Sequence, residues 1–201
     1  MVYKIASKSI ANRLKKILPS IISDTQSAFV HGSLITNNIL VAFETMYHIS
    51  QKKVGRTREM TLKLDTSKAY DRVEWVCLEK IMDKLGFVAK WRKLLIKCVT
   101  SITYYVRING TLRGQIVPNR GLRQGDPLAP YLFLLCAEGL FTLIKYAIAN
   151  GYMGGIEVCH GGPKLSYLFF ADDSLIFYKA SIKDCTTLQR ILNVYEKAFG
   201  Q

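Results

Sequence analysis

The sequence predicts an α+β fold in which helices pack on one side of a small antiparallel sheet. Three observations lead to it: six segments repeat apolar residues at helical spacing, five shorter segments have strand patterning, and Asn109-Gly110 lies between two of those strands. Asn-Gly is a strong hairpin signal, because both residues tolerate the positive φ angles of a two-residue turn. The chain has 201 residues, 49% of them hydrophobic, which is enough for one core.

The predicted helices cover residues 3–22, 34–53, 74–85, 90–101, 127–149 and 183–199, with Pro19 expected to break or bend the first. The predicted strands cover residues 61–65, 104–108, 114–117, 164–170 and 175–178. The glycine-rich segment 151–163 is expected to be a mobile loop.

Two adjacent carboxylates, Asp172 and Asp173, interrupt the apolar run 168–177, and neither has an evident partner in the local sequence. Burying unpaired carboxylates is costly, so near a core they need a proton, hydrogen bonds or a cation. Hard oxygen ligands favour magnesium. The flanking apolar residues predict a strand, a tight turn and a second strand. Because Asp-Asp-Ser is also ordinary turn chemistry, a solvated turn is the alternative.

A further carboxylate, Asp65, is predicted to end a strand, because residues 61–65 alternate in polarity. More than a hundred residues separate it from Asp172. Only the fold can bring them together, and we expect Asp65 and the Asp172-Asp173 turn to meet on adjacent strands.

A third element, residues 120–130, combines glycines, arginines and an amide immediately before a long apolar helix. Asp126 is predicted to be the N-cap of that helix and Pro127 its first residue. Backbone amides freed by glycines at a helix start can approach a phosphate closely, and Arg123 adds a charged donor. Alternatively, Gly121 and Gly125 merely satisfy turn geometry.

The charge of the chain indicates what kind of partner it binds. Lys and Arg number 28 against 15 Asp and Glu, which gives a net charge of +13. This charge favours contact with a polyanionic backbone and is concentrated in residues 1–100.

The longest apolar stretch, 128–137, is too short to span a bilayer, and no secretory signal is evident. We therefore expect no membrane association and an intracellular location, in nucleus or cytoplasm. Five widely spaced cysteines without a CxxC pair argue against disulfides and zinc.

The acidic and glycine-containing elements, in this order and spacing, resemble the palm motifs of reverse transcriptases from plant LINE-type (non-LTR) retrotransposons. The matching segments are residues 64–75, 121–133 and 170–173, and residues 11–15 and 26–30 resemble the finger region. The resemblance implies a fingers/palm fold, with residues 1–60 as a fingers-like segment and 61–201 as palm.

The resemblance also implies an RNA-directed DNA polymerase that adds dNTPs to a DNA primer on an RNA template. Two magnesium ions, for which Mn²⁺ can substitute, would be held by Asp65, Asp172 and Asp173, with the backbone carbonyl of Thr66 as an extra ligand. They would lower the pKa of the primer 3′-hydroxyl and neutralise triphosphate charge.

The same resemblance assigns roles to four further residues. Tyr70 falls where the family has an aromatic ring that excludes a 2′-hydroxyl; without the motif it would be interpreted as a core aromatic with its hydroxyl at the surface. Gln124 and Gly125 match positions that contact the incoming nucleotide and the template, and Arg123 matches a phosphate contact less closely.

Departures from the family pattern leave two classes of function open. His31-Gly32-Ser33 and Asn37-Asn38 replace a Pro-Gly-Arg segment and an Asp, which removes a template-facing arginine. The chain also lacks the sequence of a thumb and of an endonuclease domain, so we expect a truncated fragment. It is interpreted either as a polymerase domain or as an inactive, nucleic-acid-binding remnant. A palm-fold nucleotide cyclase is a distant third interpretation, because it leaves the Arg123-Gln124-Gly125 element without a role.

Overall fold

Three antiparallel strands form the central sheet of the computed structural model, which describes residues 2–23, 26, 35–52, 58–65, 68–159, 161–170 and 173–199. Strand β1 (Glu59–Asp65) pairs with β7 (Asp173–Lys179), and β7 pairs with β6 (Tyr167–Phe170), so the order is β1-β7-β6. Two smaller two-stranded sheets consist of β2 (Tyr104–Ile108) with β3 (Thr111–Ile116), and β4 (Ile156–Glu157) with β5 (Lys164–Leu165).

Seven helices accompany these strands in the described part of the chain. They are α1 (Val2–Ile21), α2 (Ile35–Gln51), α3 (Ala69–Arg72), α4 (Trp75–Lys84), α5 (Ala89–Thr100), α6 (Ala129–Ala149) and α7 (Ile182–Phe199). The α+β class predicted from the sequence is confirmed.

Helix α6 lies at the centre of the core and packs against α1, α4 and α7. Ten of its residues are buried, among them Leu132 and Leu135, which join a cluster that includes Leu78 of α4 and Ile176 of β7. By length and apolar composition α6 would also be able to cross a membrane, but a core helix passes the same test, and half of its most apolar window is buried within the domain. The apolar stretch 128–137 understates the helix, because α6 continues beyond Glu138 to Ala149.

Local predictions agree with the structure where neighbouring residues determine the conformation. The hairpin turn at Asn109-Gly110 is confirmed: both residues have positive φ, 48° and 83°, and Ile108 pairs with Thr111 across the turn. Helix α1 includes Pro19 and continues to Ile21, so Pro19 does not break the helix, and the alternative expectation of a bend stays a prediction. The short elements α3 and β4 were not predicted, and β4 falls within the segment expected to be a loop.

The predicted strand 164–170 is divided in two, because its halves pair with different partners. Lys164–Leu165 pairs with β4, whereas Tyr167–Phe170 pairs with β7. Between them the carbonyl oxygen of buried Ser166 accepts the Phe177 N–H at 2.8 Å. The pattern of apolar residues does not indicate this change of pairing partner.

Candidate functional site

Two carboxylates face each other at one end of the central sheet. Asp65 is the last residue of β1 and lies directly opposite Asp173, the first residue of β7. Directly opposed residues in an antiparallel pair share a face, with Cα atoms about 4.5–5.5 Å apart. The expectation that these acidic segments meet on adjacent strands is confirmed for Asp65 and Asp173. The other two predicted metal ligands, Asp172 and Thr66, lie outside the described residues.

Lys63 is a partner of Asp173 that was not predicted from the sequence. Its Nζ lies 3.1 Å from Asp173 Oδ1, and the two side chains are 61% and 54% exposed. Asp65 is also exposed. The premise that the paired carboxylates are buried is therefore wrong for Asp173. Lys63 precedes Asp65 by two residues, so the strand period of two places both on one face, a signal that was available in the sequence.

The donor chemistry at this end of the sheet fits a divalent cation. Asp65 and Asp173 offer hard carboxylate oxygens of the kind that Mg²⁺ and Mn²⁺ prefer. Within the residues that the structure describes, no cluster of three or more His, Cys, Asp or Glu side chains forms. The described part of the site is thus a pair of opposed carboxylates with an ammonium group beside it.

Three other predicted site residues line a separate surface cavity. Tyr70, Gln124 and Gly125 border a volume of about 500 Å³, together with Lys8, Asp126, Pro127, Ala129 and Pro130. Arg123 is exposed and is not among the lining residues. Asp173 and Lys63 line a different cavity of about 320 Å³. Among the described residues, the carboxylate pair and the Tyr70 cavity are therefore two separate surface features rather than one pocket.

Backbone hydrogen bonds tie the Tyr70 segment to the glycine-containing loop. The Leu122 N–H donates to the Tyr70 carbonyl at 2.7 Å, and the Gly121 N–H donates to the Val73 carbonyl at 2.8 Å. The indole Nε1–H of Trp75 donates to the Gly121 carbonyl at 2.8 Å. Two motifs that are about fifty residues apart in sequence are thus held directly against each other.

Gly121 makes this contact possible. Its φ is +91°, and a Cβ added there would lie 2.9 Å from the Asp71 carbonyl oxygen. Gly125 also has positive φ, +77°, but no atom lies within 4 Å of the position that a Cβ would occupy. The positive φ angle accounts for a glycine at position 125, whereas Gly121 additionally permits close backbone packing.

The Tyr70 ring is held by a stacked neighbour. It lies 4.9 Å from the ring of Phe133, centroid to centroid, with an interplanar angle of 18°. Phe133 is buried in α6, and Tyr70 is partly buried. The ring of Tyr70 thus stacks on a core residue while Tyr70 borders the cavity, and its predicted role in excluding a 2′-hydroxyl stays a prediction.

Asp126 organises the turn that precedes α6. Its Oδ1 accepts the Leu128 N–H at 2.9 Å, and its Oδ2 lies 2.5 Å from the Tyr3 hydroxyl, which is also 3.0 Å from the Cys98 carbonyl oxygen. Burial raises the pKa of Tyr3, and the Asp126 contact raises it further.

The predicted helix start is therefore wrong by two residues. Helix α6 begins at Ala129, with Leu128 as N-cap, so Asp126 is not the N-cap and Pro127 is not the first helical residue. The Asp126 carboxylate instead closes a turn ahead of the helix. The Tyr3 contact could not be foreseen, because 123 residues separate the two side chains.

The fold places the chain in the class of reverse-transcriptase fingers/palm structures. Two telomerase structures from Candida tropicalis share it: the apo enzyme truncated from its C-terminal domain aligns with a TM-score of 0.63 over 97% of this chain and 38% of that chain. The complex with a TWJ fragment of telomeric RNA aligns with a TM-score of 0.57 over 98% and 31%. Both are 12% identical to this chain, so the likeness concerns the fold alone.

The chain belongs to the reverse transcriptase (RNA-dependent DNA polymerase) family, whose model matches residues 1–201. It is 28% identical over 196 residues to the transposon TX1 uncharacterized 149 kDa protein of Xenopus laevis, covering 98% of this chain and 14% of that protein. It is 24% identical over 193 residues to a Pol polyprotein from the type-1 retrotransposable element R2 of Popillia japonica, covering 96% and 26%.

A third relative is more similar over a shorter segment. The mitochondrial protein AtMg01250 of Arabidopsis thaliana is 51% identical over 67 residues, which cover 33% of this chain and 55% of that protein. The predicted relationship to non-LTR retrotransposon reverse transcriptases is confirmed. The chain spans at most about half the length of these relatives.

Proposed function

We propose that this chain carries the catalytic site of an RNA-directed DNA polymerase that adds dNTPs to a primer 3′-hydroxyl by two-metal chemistry. The observation that carries the proposal is the direct opposition of Asp65 and Asp173 on neighbouring strands. Asp65, Asp172 and Asp173 would hold the two Mg²⁺ ions, with the Thr66 carbonyl as an additional oxygen ligand. Bound there, the metals would lower the pKa of the primer hydroxyl and neutralise charge on the triphosphate.

The chain's other residues orient the nucleotide in this proposal. Tyr70, whose ring stacks on Phe133, borders the cavity and would exclude a ribose 2′-hydroxyl by steric clash. Gln124 and Gly125 border the same cavity and would contact the incoming nucleotide and the template base. Arg123 is exposed next to them and would pair with a phosphate.

The partners follow from charge and from the family. The net charge of +13, from 28 basic and 15 acidic residues, supports contact with the phosphate backbones of an RNA template and a DNA primer. We assign residues 1–60 to a fingers-like segment and 61–201 to the palm.

The test is extension of a DNA primer on an RNA template by the purified chain with dNTPs and Mg²⁺ at low salt. We expect extension that is lost in Asp65→Asn and in Asp172→Asn. Glu79→Gln on α4 makes a matched acid-to-amide change at an exposed position and should retain activity. Equal extension by all variants would contradict the assignment of the carboxylates.

The alternative function, a catalytically inactive nucleic-acid-binding remnant, is favoured by the ion pair that Lys63 forms with Asp173. It predicts salt-sensitive RNA binding that Asp65→Asn leaves unchanged, together with no extension by the unsubstituted chain. Binding measured beside the extension assay, on the same primer-template, distinguishes the two functions.

A further inference from the structure

The β2–β3 hairpin is an exposed ribbon that forms a sheet of its own. Every residue of both strands is exposed, and the large apolar and aromatic side chains among them are Tyr104, Tyr105, Val106, Ile108, Leu112 and Ile116. Two-stranded hairpins are marginally stable in water, and exposed apolar clusters of this kind mark interaction surfaces. We therefore expect the hairpin to bind a partner.

One face of the ribbon combines an aromatic ring with a guanidinium group. Tyr105 and Arg107 are two residues apart in β2. The register shift between Tyr105 and Val106 leaves the extra residue, Gly114, on β3, so the alternation of β2 is intact and the two side chains share a face. Across the strand, Gln115 pairs with Tyr105 and Leu112 pairs with Arg107. Tyr105 is 55% exposed, so its ring is open to a planar ligand. We call these four residues the Tyr105 face.

The charge around the ribbon points to a polyanionic partner. Residues 84–125 contain nine Lys and Arg and no Asp or Glu. Arg92 and Arg120, outside the hairpin, pair with Asp83 and Glu74. In the part of the chain that the structure describes, Arg107 and Arg113 have no carboxylate within salt-bridge distance. Both hairpin guanidinium groups are thus available to a phosphate.

We propose that the Tyr105 face binds a single-stranded nucleic acid, with a base stacked on Tyr105 and a phosphate paired with Arg107. Interleaved aromatic and basic side chains are the usual means of sequence-independent single-strand binding. Charge complementarity favours this partner over an apolar protein surface, because an unpaired arginine buried at a protein interface is costly. The surface uses none of the carboxylates or cavity residues assigned above.

The test is fluorescence anisotropy with labelled oligo(dT) and oligo(U), titrated with the full chain in EDTA at several monovalent salt concentrations. Without divalent metal or dNTP, the result does not depend on polymerase activity. Tyr105→Ala should weaken binding roughly 5- to 150-fold with little change in salt dependence, since each stacked base contributes about 1–3 kcal/mol. Arg107→Ala should reduce the slope of log K against log salt by about 0.7, the effect of one phosphate contact on a single strand.

Matched controls lie on exposed helix positions. Tyr146→Ala on α6 and Arg190→Ala on α7 make the same changes away from the ribbon, and both should bind like the unsubstituted chain. Tyr105→Phe keeps the ring and should retain affinity, which separates stacking from hairpin stability. Comparing the two oligonucleotides shows whether RNA or DNA is preferred.

Two outcomes would overturn the proposal. One is that Tyr105→Ala and Arg107→Ala bind both oligonucleotides with unchanged affinity and slope. The other is that sedimentation shows a concentration-dependent dimer that the hairpin variants abolish while oligonucleotide binding is unaffected, which would make the ribbon a contact between copies of the chain.

Discussion

Gly121 shows how one residue can hold two motifs together. Its backbone is in the left-handed region, and the Asp71 carbonyl occupies the space that a Cβ would need. Its N–H and C=O are both used, by Val73 and by the Trp75 indole. Gly125, four residues later, has a similar φ with open space around it. A side chain at Gly125 would meet backbone strain alone, whereas a side chain at Gly121 would meet the same strain and a steric clash.

We predict that Gly121→Ala destabilises the fold more than Gly125→Ala does. A left-handed alanine costs about 1–2 kcal/mol at either position, and the overlap with Asp71 adds about 1–3 kcal/mol at Gly121 alone. Chemical unfolding of both variants measures the difference in the free energy of unfolding. Equal losses would contradict the close packing of Gly121 on Asp71.

The Lys63–Asp173 ion pair leads to a prediction about metal affinity. An ammonium group beside Asp173 competes with a divalent cation for the carboxylate, so Lys63→Gln should strengthen Mn²⁺ binding. Because both side chains are more than half exposed, the gain should be modest, about two- to fivefold. Electron paramagnetic resonance of free Mn²⁺ measures it without requiring catalysis.

The control for this measurement is Lys179→Gln, at the opposite end of β7. It removes the same charge and should leave Mn²⁺ affinity nearly unchanged, while Asp65→Asn should weaken it. If Lys63→Gln has no effect although Asp65→Asn does, then Lys63 does not compete for the site.

Helix α6 packs against α1, α4 and α7, and Glu138 is its one acidic residue. Glu138 is half-buried, and its Oε2 accepts the backbone N–H of Ser23, just after α1, at 3.2 Å. Burial raises the pKa of Glu138 above its ordinary value of 4.5, and the Ser23 hydrogen bond opposes part of that rise.

We predict that Glu138→Gln stabilises the chain at neutral pH. In the folded state the raised pKa means that Glu138 holds its proton more tightly than in the unfolded state, so its ionisation costs stability as pH rises above about 4.5 through the folded pKa. Glutamine keeps an oxygen for the Ser23 N–H without that cost. Thermal unfolding at pH 7 and at pH 4 should show a difference that shrinks at the lower pH, and a constant difference would contradict the assignment.

The whole molecule depends on one main hydrophobic cluster around α6, with contributions from α1, α4, α7 and the central sheet. The central sheet that ends at Asp65 and Asp173 contributes Phe169 and Ile176 to this cluster, so loss of the core would also disturb the carboxylate pair.

We predict that Leu135→Ala lowers the free energy of unfolding by about 2–5 kcal/mol, because Leu135 is fully buried and the truncation leaves a cavity. Leu94→Ala on α5 removes the same atoms from a side chain that is 42% exposed and should cost much less. Denaturant titration of both proteins compares them, and similar costs would contradict the central position of α6.

Sequence by itself determined what neighbouring residues control. The positive φ angles that Asn and Gly tolerate specified the β2–β3 turn, and the alternation over residues 61–65 placed Asp65 at a strand end. The order of the three motifs was sufficient to recognise the family, because that information is carried in the linear chain.

Tertiary structure alone decided which distant residues meet. The opposition of Asp65 and Asp173, the stacking of Tyr70 on Phe133 and the contact of Tyr3 with Asp126 each join segments more than sixty residues apart. The displaced start of α6 has the same origin, since Asp126 is engaged by Tyr3 as well as by its own turn. Local periodicity reports which face of an element is apolar, whereas the choice of partner for that face is made by the packing of the whole core.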